Sequence, residues 1–146
     1  MKSFSVKVKN YFKIMKLVFV LLLFIMLSGC ASSTFNLTVN PNKLSNSKQP
    51  FYVIVKQESM YDYLDSSVNT VYDNYLKKGS NDASFLIYPE KGKQTIPIEK
   101  SDKDGISIYF LFQKESNSGN WKFYINPNNQ KDKTVNISKN NVMEVL

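Results

Sequence analysis

The chain has no histidine and no arginine, and it has a single cysteine, Cys30. Without histidine the commonest general acid-base group is missing, together with the serine–histidine and cysteine–histidine pairs. The usual zinc ligand sets go with it. One cysteine cannot form an intramolecular disulfide. All 19 basic residues are lysines, which lack the planar fork that binds phosphate in bidentate fashion. No glycine-rich phosphate loop is present. The 12 acidic residues sit mostly beside lysine, glycine and asparagine, as in Asp102-Lys103-Asp104-Gly105, which is the composition of solvated turns. These absences argue against an enzyme, a metal site and a bound cofactor.

The positive charge is unevenly placed. Lys2, Lys7, Lys9, Lys13 and Lys16 stand in a segment without acidic residues, and they supply five of the net +7, leaving +2 on the rest. The sequence pI near 9.4 therefore belongs mostly to the N-terminal segment, and nucleic acid, which calls for a concentrated basic face, is discounted as a partner. An uninterrupted apolar run follows from Leu17 to Leu27. A basic stretch, an apolar stretch and small residues in that order form an export signal. The apolar run would cover only about 16 Å as a helix, against about 30 Å of bilayer hydrocarbon, which is too short for a permanent span. Met15-Lys16 would itself open a shorter signal of the same layout.

Leu27-Ser28-Gly29-Cys30 closes this segment and resembles the lipobox of bacterial lipoproteins. The resemblance implies cleavage between Gly29 and Cys30, and acylation of Cys30 on its sulfur and on the new amino terminus. It also implies residence in the outer membrane, because Ala31 stands where an aspartate would signal inner-membrane retention. One acyl chain holds a protein only marginally, whereas two or more anchor it stably, since each buried methylene adds about 0.8 kcal/mol. Three parts are expected: a signal at residues 1–29, an acylated Cys30 with a short tether to residue 34, and one domain over residues 35–146. That remainder is long enough for a single core.

Within it, period-2 alternation marks strands. Phe35, Leu37 and Val39 alternate with Asn36 and Thr38, and Phe51 to Val55 reads as a strand buried on both faces. Ser84 to Tyr88 and Gln94 to Ile98 follow, the latter holding Pro97, which marks an edge. Ile106, Ile108, Phe110 and Phe112 share one face of a longer strand, opposite Ser107, Tyr109, Leu111 and Gln113. After a turn at residues 115–120, Trp121, Phe123 and Ile125 share a face of its hairpin partner. Val135 with Ile137, and residues 142–146, complete the set. Between the early strands Val68, Val71, Tyr72, Tyr75 and Leu76 fall at helical spacing, with Ser66 or Ser67 to cap the start and Gly79 to end it. The predicted fold is all-β: an antiparallel β-sandwich with one inserted amphipathic helix.

The order lipobox, strand, Asn-Pro loop, strand, helix and paired strands resembles the outer-membrane lipoprotein of type VI secretion systems, a transthyretin-like sandwich with an added helix. The segments that carry it are "LTVNPNKLSNSKQPFYVIVKQ", "SVNTVYDNYL" and "GISIYFLFQKESNSGNWKFYI". Lysines replace the usual arginines, and Tyr109, Phe110 and Phe112 replace small residues, so the chain is similar to a divergent, pathogenicity-island-type member. The resemblance implies a virulence-associated scaffold at the periplasmic face of the outer membrane, monomeric alone and oligomeric within its complex. Its partners would be the lipid bilayer and the periplasmic domain of an inner-membrane core protein. The contact would map onto the polar, flexible loop Asn40, Pro41, Asn42, Lys43, Leu44, Ser45, Asn46, Ser47, Lys48 and Gln49, with Leu44 at its centre. A competing reading is a periplasmic lipoprotein that binds a small ligand or inhibits an enzyme through a pocket lined by Tyr61, Tyr63, Tyr72 and Tyr75. An enzyme would need carboxylates such as Asp62, Asp65 and Asp73 to converge in a cleft.

Overall fold

The computed structural model describes residues 15–16, 33–77, 82–113 and 119–146. Apart from Met15 and Lys16, the expected export signal lies outside the described residues, as do Cys30, Gly79 and most of the turn after Gln113. Ser33–Leu146 forms one unit, built from eight strands: β1 (Thr34–Pro41), β2 (Phe51–Glu58), β3 (Ala83–Ile87), β4 (Gln94–Glu99), β5 (Gly105–Leu111), β6 (Lys122–Ile125), β7 (Lys133–Ile137) and β8 (Met143–Val145). Each alternating run of the sequence becomes a strand because its apolar set fits one face of a pleated ladder.

The strands make two four-stranded sheets, ordered β4-β1-β7-β8 and β3-β2-β5-β6. Their inner faces meet in one core of Phe35, Leu37, Val39, Val53, Ile108, Phe110 and Val135, with further aliphatic neighbours. The expected β-sandwich is borne out. One pairing departs from the antiparallel rule: β1 and β7 run parallel, with Val39 opposite Val135. The residues between β6 and β7 cross from one sheet to the other, so β7 arrives running the same way as β1. Pro97 lies on β4, an edge strand that pairs only with β1, where a missing N–H is harmless.

β5 is buried along its whole length, because sheet packing covers one face and helices cover the other. The insertion between β2 and β3 holds two helices, α1 (Met60–Asp65) and α2 (Val68–Leu76), where the sequence predicted one. Ser59 caps α1 by accepting from the Asp62 backbone N–H at 3.2 Å, and Ser67 caps α2 by accepting from Thr70 at 3.1 Å. Val71 is buried against Ile54, Tyr109 and Leu111, with Tyr63, Val68, Tyr75 and Trp121 packed around them. Trp121 thus joins the outer cluster, its ring 5.4 Å from Tyr109, and does not share the inner face with Phe123 and Ile125 as its spacing predicted. It precedes the first residue of β6, and so escapes the strand's alternation.

Polar bonds fasten the insertion to the sheet. The Lys122 ammonium donates to the Tyr63 and Ser66 carbonyls at 2.5 and 2.8 Å, at the end of α1, where the Tyr63 carbonyl also accepts from the Ser66 hydroxyl at 2.7 Å, and it lies 4.6 Å above the Tyr63 ring. Burial pushes this ammonium's pKa below the ordinary lysine value. At the end of β2, Glu58 accepts from the Tyr109 hydroxyl and pairs with Lys56 at 2.8 Å. Gly105 opposes Glu58, and any β-carbon there would collide with the Tyr124 ring. A side chain there would have to displace the Tyr124 ring and with it the hydroxyl's bond to the Glu58 carbonyl.

Burial pushes the Glu58 carboxyl up, but the Lys56 ammonium and the Tyr109 hydroxyl outweigh it, and the net pKa lies below the ordinary value. The unfolded chain therefore takes up this proton at higher pH than the folded domain. The contribution to stability is complete above the ordinary carboxylate range and is lost as pH falls through it. Between about pH 6 and pH 3 the urea midpoint should fall more steeply for the wild type than for Glu58→Gln. Equal slopes would contradict this assignment.

Candidate docking loop

The sandwich has two poles. At one, the chain enters at Ser33, whose carbonyl accepts from Lys100 N–H at 2.8 Å, and α1 starts directly after β2. At the other lie the β1–β2, β3–β4, β5–β6 and β7–β8 connections. β1, with eight residues, separates the poles by roughly 26 Å. The loop predicted to meet a partner belongs to the second pole.

Asn40 and Pro41 are the last residues of β1. Asn42 donates its N–H to the Ile137 carbonyl at 2.8 Å and accepts Leu44 N–H on its side chain at 2.9 Å, which turns the chain outward. Lys43 and Leu44 form the tip, and Leu44 is 51% exposed. A tight turn at Ser45–Lys48 follows. Asn46, Ser47 and Lys48 all have positive φ, at 46°, 56° and 68°. Three consecutive non-glycine residues in the left-handed region are costly, at roughly 1–2 kcal/mol each, and need compensation elsewhere.

Asn46 supplies it. The side chain is 1% exposed and donates to the Gln49 and Pro50 carbonyls at 3.0 and 2.9 Å. Its oxygen accepts from Gln113 N–H at 2.8 Å, and its own backbone N–H donates to Asn141 Oδ1 at 2.6 Å. One asparagine thus joins the β1–β2, β5–β6 and β7–β8 connections. The loop, expected to be flexible, is a fixed turn. Ser45 and Asn46 point inward, while Lys43, Leu44, Ser47, Lys48 and Gln49 face solvent. Asn40, Pro41 and Asn42 also line an open groove of about 550 Å³ with Ile137, Ser138, Val142 and Glu144. No sequence signal marked Asn141 or Val142 as neighbours of this loop.

The four tyrosines proposed for a ligand pocket do not converge. Tyr61 and Tyr72 face solvent, Tyr63 packs against Tyr109 and Tyr124, and Tyr75 against Tyr52. Their spacing on two separate helices turns two of them away from the sheet. Of the three aspartates, Asp62 and Asp65 border a groove of about 360 Å³ with Lys56 and Glu58, and Asp73 does not line it. Asp62 accepts from the Ser59 hydroxyl at 2.6 Å, as part of the α1 cap. Among the described residues no group of three His, Cys, Asp or Glu side chains is arranged to hold a metal ion, and no helix is long and apolar enough to cross a membrane.

Comparison with known proteins places this geometry. The model of the family "IglE, N-terminal domain" matches residues 52–138, from β2 through β7. No curated protein matches significantly. Among solved structures, the chain is similar to Serratia marcescens Lip, a membrane-bound component of the type VI secretion system, at 9% identity and a TM-score of 0.63 over 80% of this chain and 97% of that one. It is also similar to the type VI secretion lipoprotein TssJ1 from Pseudomonas aeruginosa, at 10% identity and a TM-score of 0.59 over 79% and 95%. A chain from the structure of the type VI secretion TssM C-terminal domain (869-1107) from EAEC gives 10% identity and a TM-score of 0.61 over 77% and 97%. The resemblance drawn from the sequence is borne out: the chain belongs to the IglE N-terminal domain family and has the fold of the type VI secretion lipoproteins.

Proposed function

We propose that this protein is an outer-membrane-anchored scaffold lipoprotein of a type VI-like secretion system. Residues 1–29 are its export signal, Cys30 carries the acyl chains, and the loop Asn40–Gln49 docks the periplasmic domain of an inner-membrane core-complex protein. The observation that carries the proposal is the placement of the loop. It is held rigid by Asn46 at the pole opposite the chain's entry, so a domain tethered through Cys30 presents it away from the outer membrane, toward a partner rooted in the inner one. The fixed turn lowers the entropy lost on binding. The lipid adds a second attachment, because confinement to one surface raises the effective concentration of the partner.

Leu44 is the apolar tip of the surface that would dock. Burying the half of it that remains exposed is worth about 1–1.5 kcal/mol. Leu44→Asp removes that gain and buries a carboxylate, so it should weaken binding to the purified periplasmic domain at least about tenfold in calorimetry. The melting temperature should fall by no more than a few degrees, since half of the side chain is already exposed in the free domain. Unchanged affinity would move the interface off this loop.

A further inference from the structure

The fold leaves one face of α1 unused. Tyr63 turns inward to Tyr109 and Tyr124, and an adjoining flank of the helix carries Met60, Tyr61 and Leu64, with the exposed Asp65 beside Tyr61. Met60 and Leu64 are four residues apart, and Tyr61 and Leu64 three apart, so they form one stripe. Tyr61 is 85% exposed and Leu64 65%. Two large apolar side chains this open on a six-residue helix contribute little to the packing of the domain.

Their position says what meets them. Only Ser59 separates α1 from Glu58, which pairs with Gly105 at the pole where the chain enters. A mature chain starting at Cys30 has three residues before Ser33, an extended reach of about 11 Å. A domain on this tether is held within that distance of the surface that carries its lipid. Its entry pole therefore lies next to the headgroup layer.

We propose that the Met60–Tyr61–Leu64 face of α1 seats in the headgroup region of the leaflet that holds the acyl chains, and so fixes the orientation of the domain. The proposal rests on the acylation of Cys30. Its chemistry suits that layer: the tyrosine offers an apolar ring with a polar tip, and leucine and methionine bury alongside it. Lys100 and Lys103 at the same pole are offset by Asp102 and Asp104, all exposed except for the neighbouring Ser101. Apolar contact, rather than attraction to anionic lipid, carries the seating. Seating α1 would point the docking loop squarely away from the membrane.

The test uses the full acylated protein in vesicles of phosphatidylethanolamine and phosphatidylglycerol containing brominated lipid. Because acylation consumes the Cys30 sulfur, Leu64→Cys, Tyr61→Cys and Lys43→Cys each provide a unique site for a bimane label. Flotation reports anchoring, and quenching reports depth. The expected result is flotation of all three, with quenching at residues 61 and 64 several-fold above that at residue 43 and unchanged by added salt. Flotation with equal quenching at the three sites would overturn the seating and leave the anchor standing. Failure to float would remove the anchor, and the seating with it. A label at residue 64 that is unquenched in vesicles but shielded in cells would assign this face to a protein partner and overturn the proposal.

Discussion

Asn46→Ala will lower the stability of the domain by about 3 kcal/mol, a fall in melting temperature of roughly 10 °C for a unit of this size. The substitution orphans Gln113 N–H and the Gln49 and Pro50 carbonyls, at about 1 kcal/mol each where water cannot fully replace the amide. It also puts alanine at φ 46°, a region asparagine tolerates better. Because this one side chain joins three connections, the loss should appear first at the docking pole. Hydrogen exchange should speed up across residues 42–50, 113 and 138–142 before the core of β2 and β5 opens. Asn46→Asp makes a sharper control. It keeps an acceptor for Gln113 but turns a second oxygen toward two carbonyls, so at neutral pH it should be at least as damaging as alanine. A neutral Asn46→Asp would contradict the hydrogen-bond assignment.

Cys30→Ser should remove the protein from the outer-membrane fraction altogether. A serine hydroxyl does not take the thioether-linked lipid, and the domain's other membrane contact, three side chains on α1, is far weaker than two or three acyl chains. The chain would either stay uncut, held by its apolar leader, or be released; both outcomes empty the outer-membrane fraction. Secretion should fail with it, because the loop alone, without confinement to the membrane, meets its partner at a much lower effective concentration. The wild-type protein from the same cells should begin at residue 30 and carry acyl mass. Variant protein still in the outer membrane with secretion intact would refute the role assigned to Cys30.

Much of the fold was legible because alternation along a strand is a direct record of which face is buried. Phe35, Leu37 and Val39 announce β1, and Ile106, Ile108 and Phe110 announce β5. The helical stripe through Val68, Val71 and Tyr75 was equally plain, and Ser67 caps it as expected. Alternation does not name a strand's partner, however, so the parallel β1–β7 pair was invisible. α1 escaped because six residues with a single inward ring, Tyr63, give no period; the pair Ser59 and Asp62 was its readable signal. The loop misled for a different reason. A run of asparagine, lysine and serine looks solvated, yet Asn46 is buried because its partners, Gln113 and Asn141, come from 67 and 95 residues away. Local composition holds no trace of such contacts. The likeness of Leu27-Ser28-Gly29-Cys30 to a lipobox, by contrast, is a local pattern, and the role proposed for it draws on no fold.

A photo-crosslinking residue at position 44, introduced into the acylated protein in intact cells, tests most directly whether this sandwich braces the envelope through its distal pole. Covalent capture of a large inner-membrane protein through its periplasmic domain is the expected result, with the yield lost when Cys30 is replaced. Capture of that protein from other faces of the domain but never from residue 44 would contradict it.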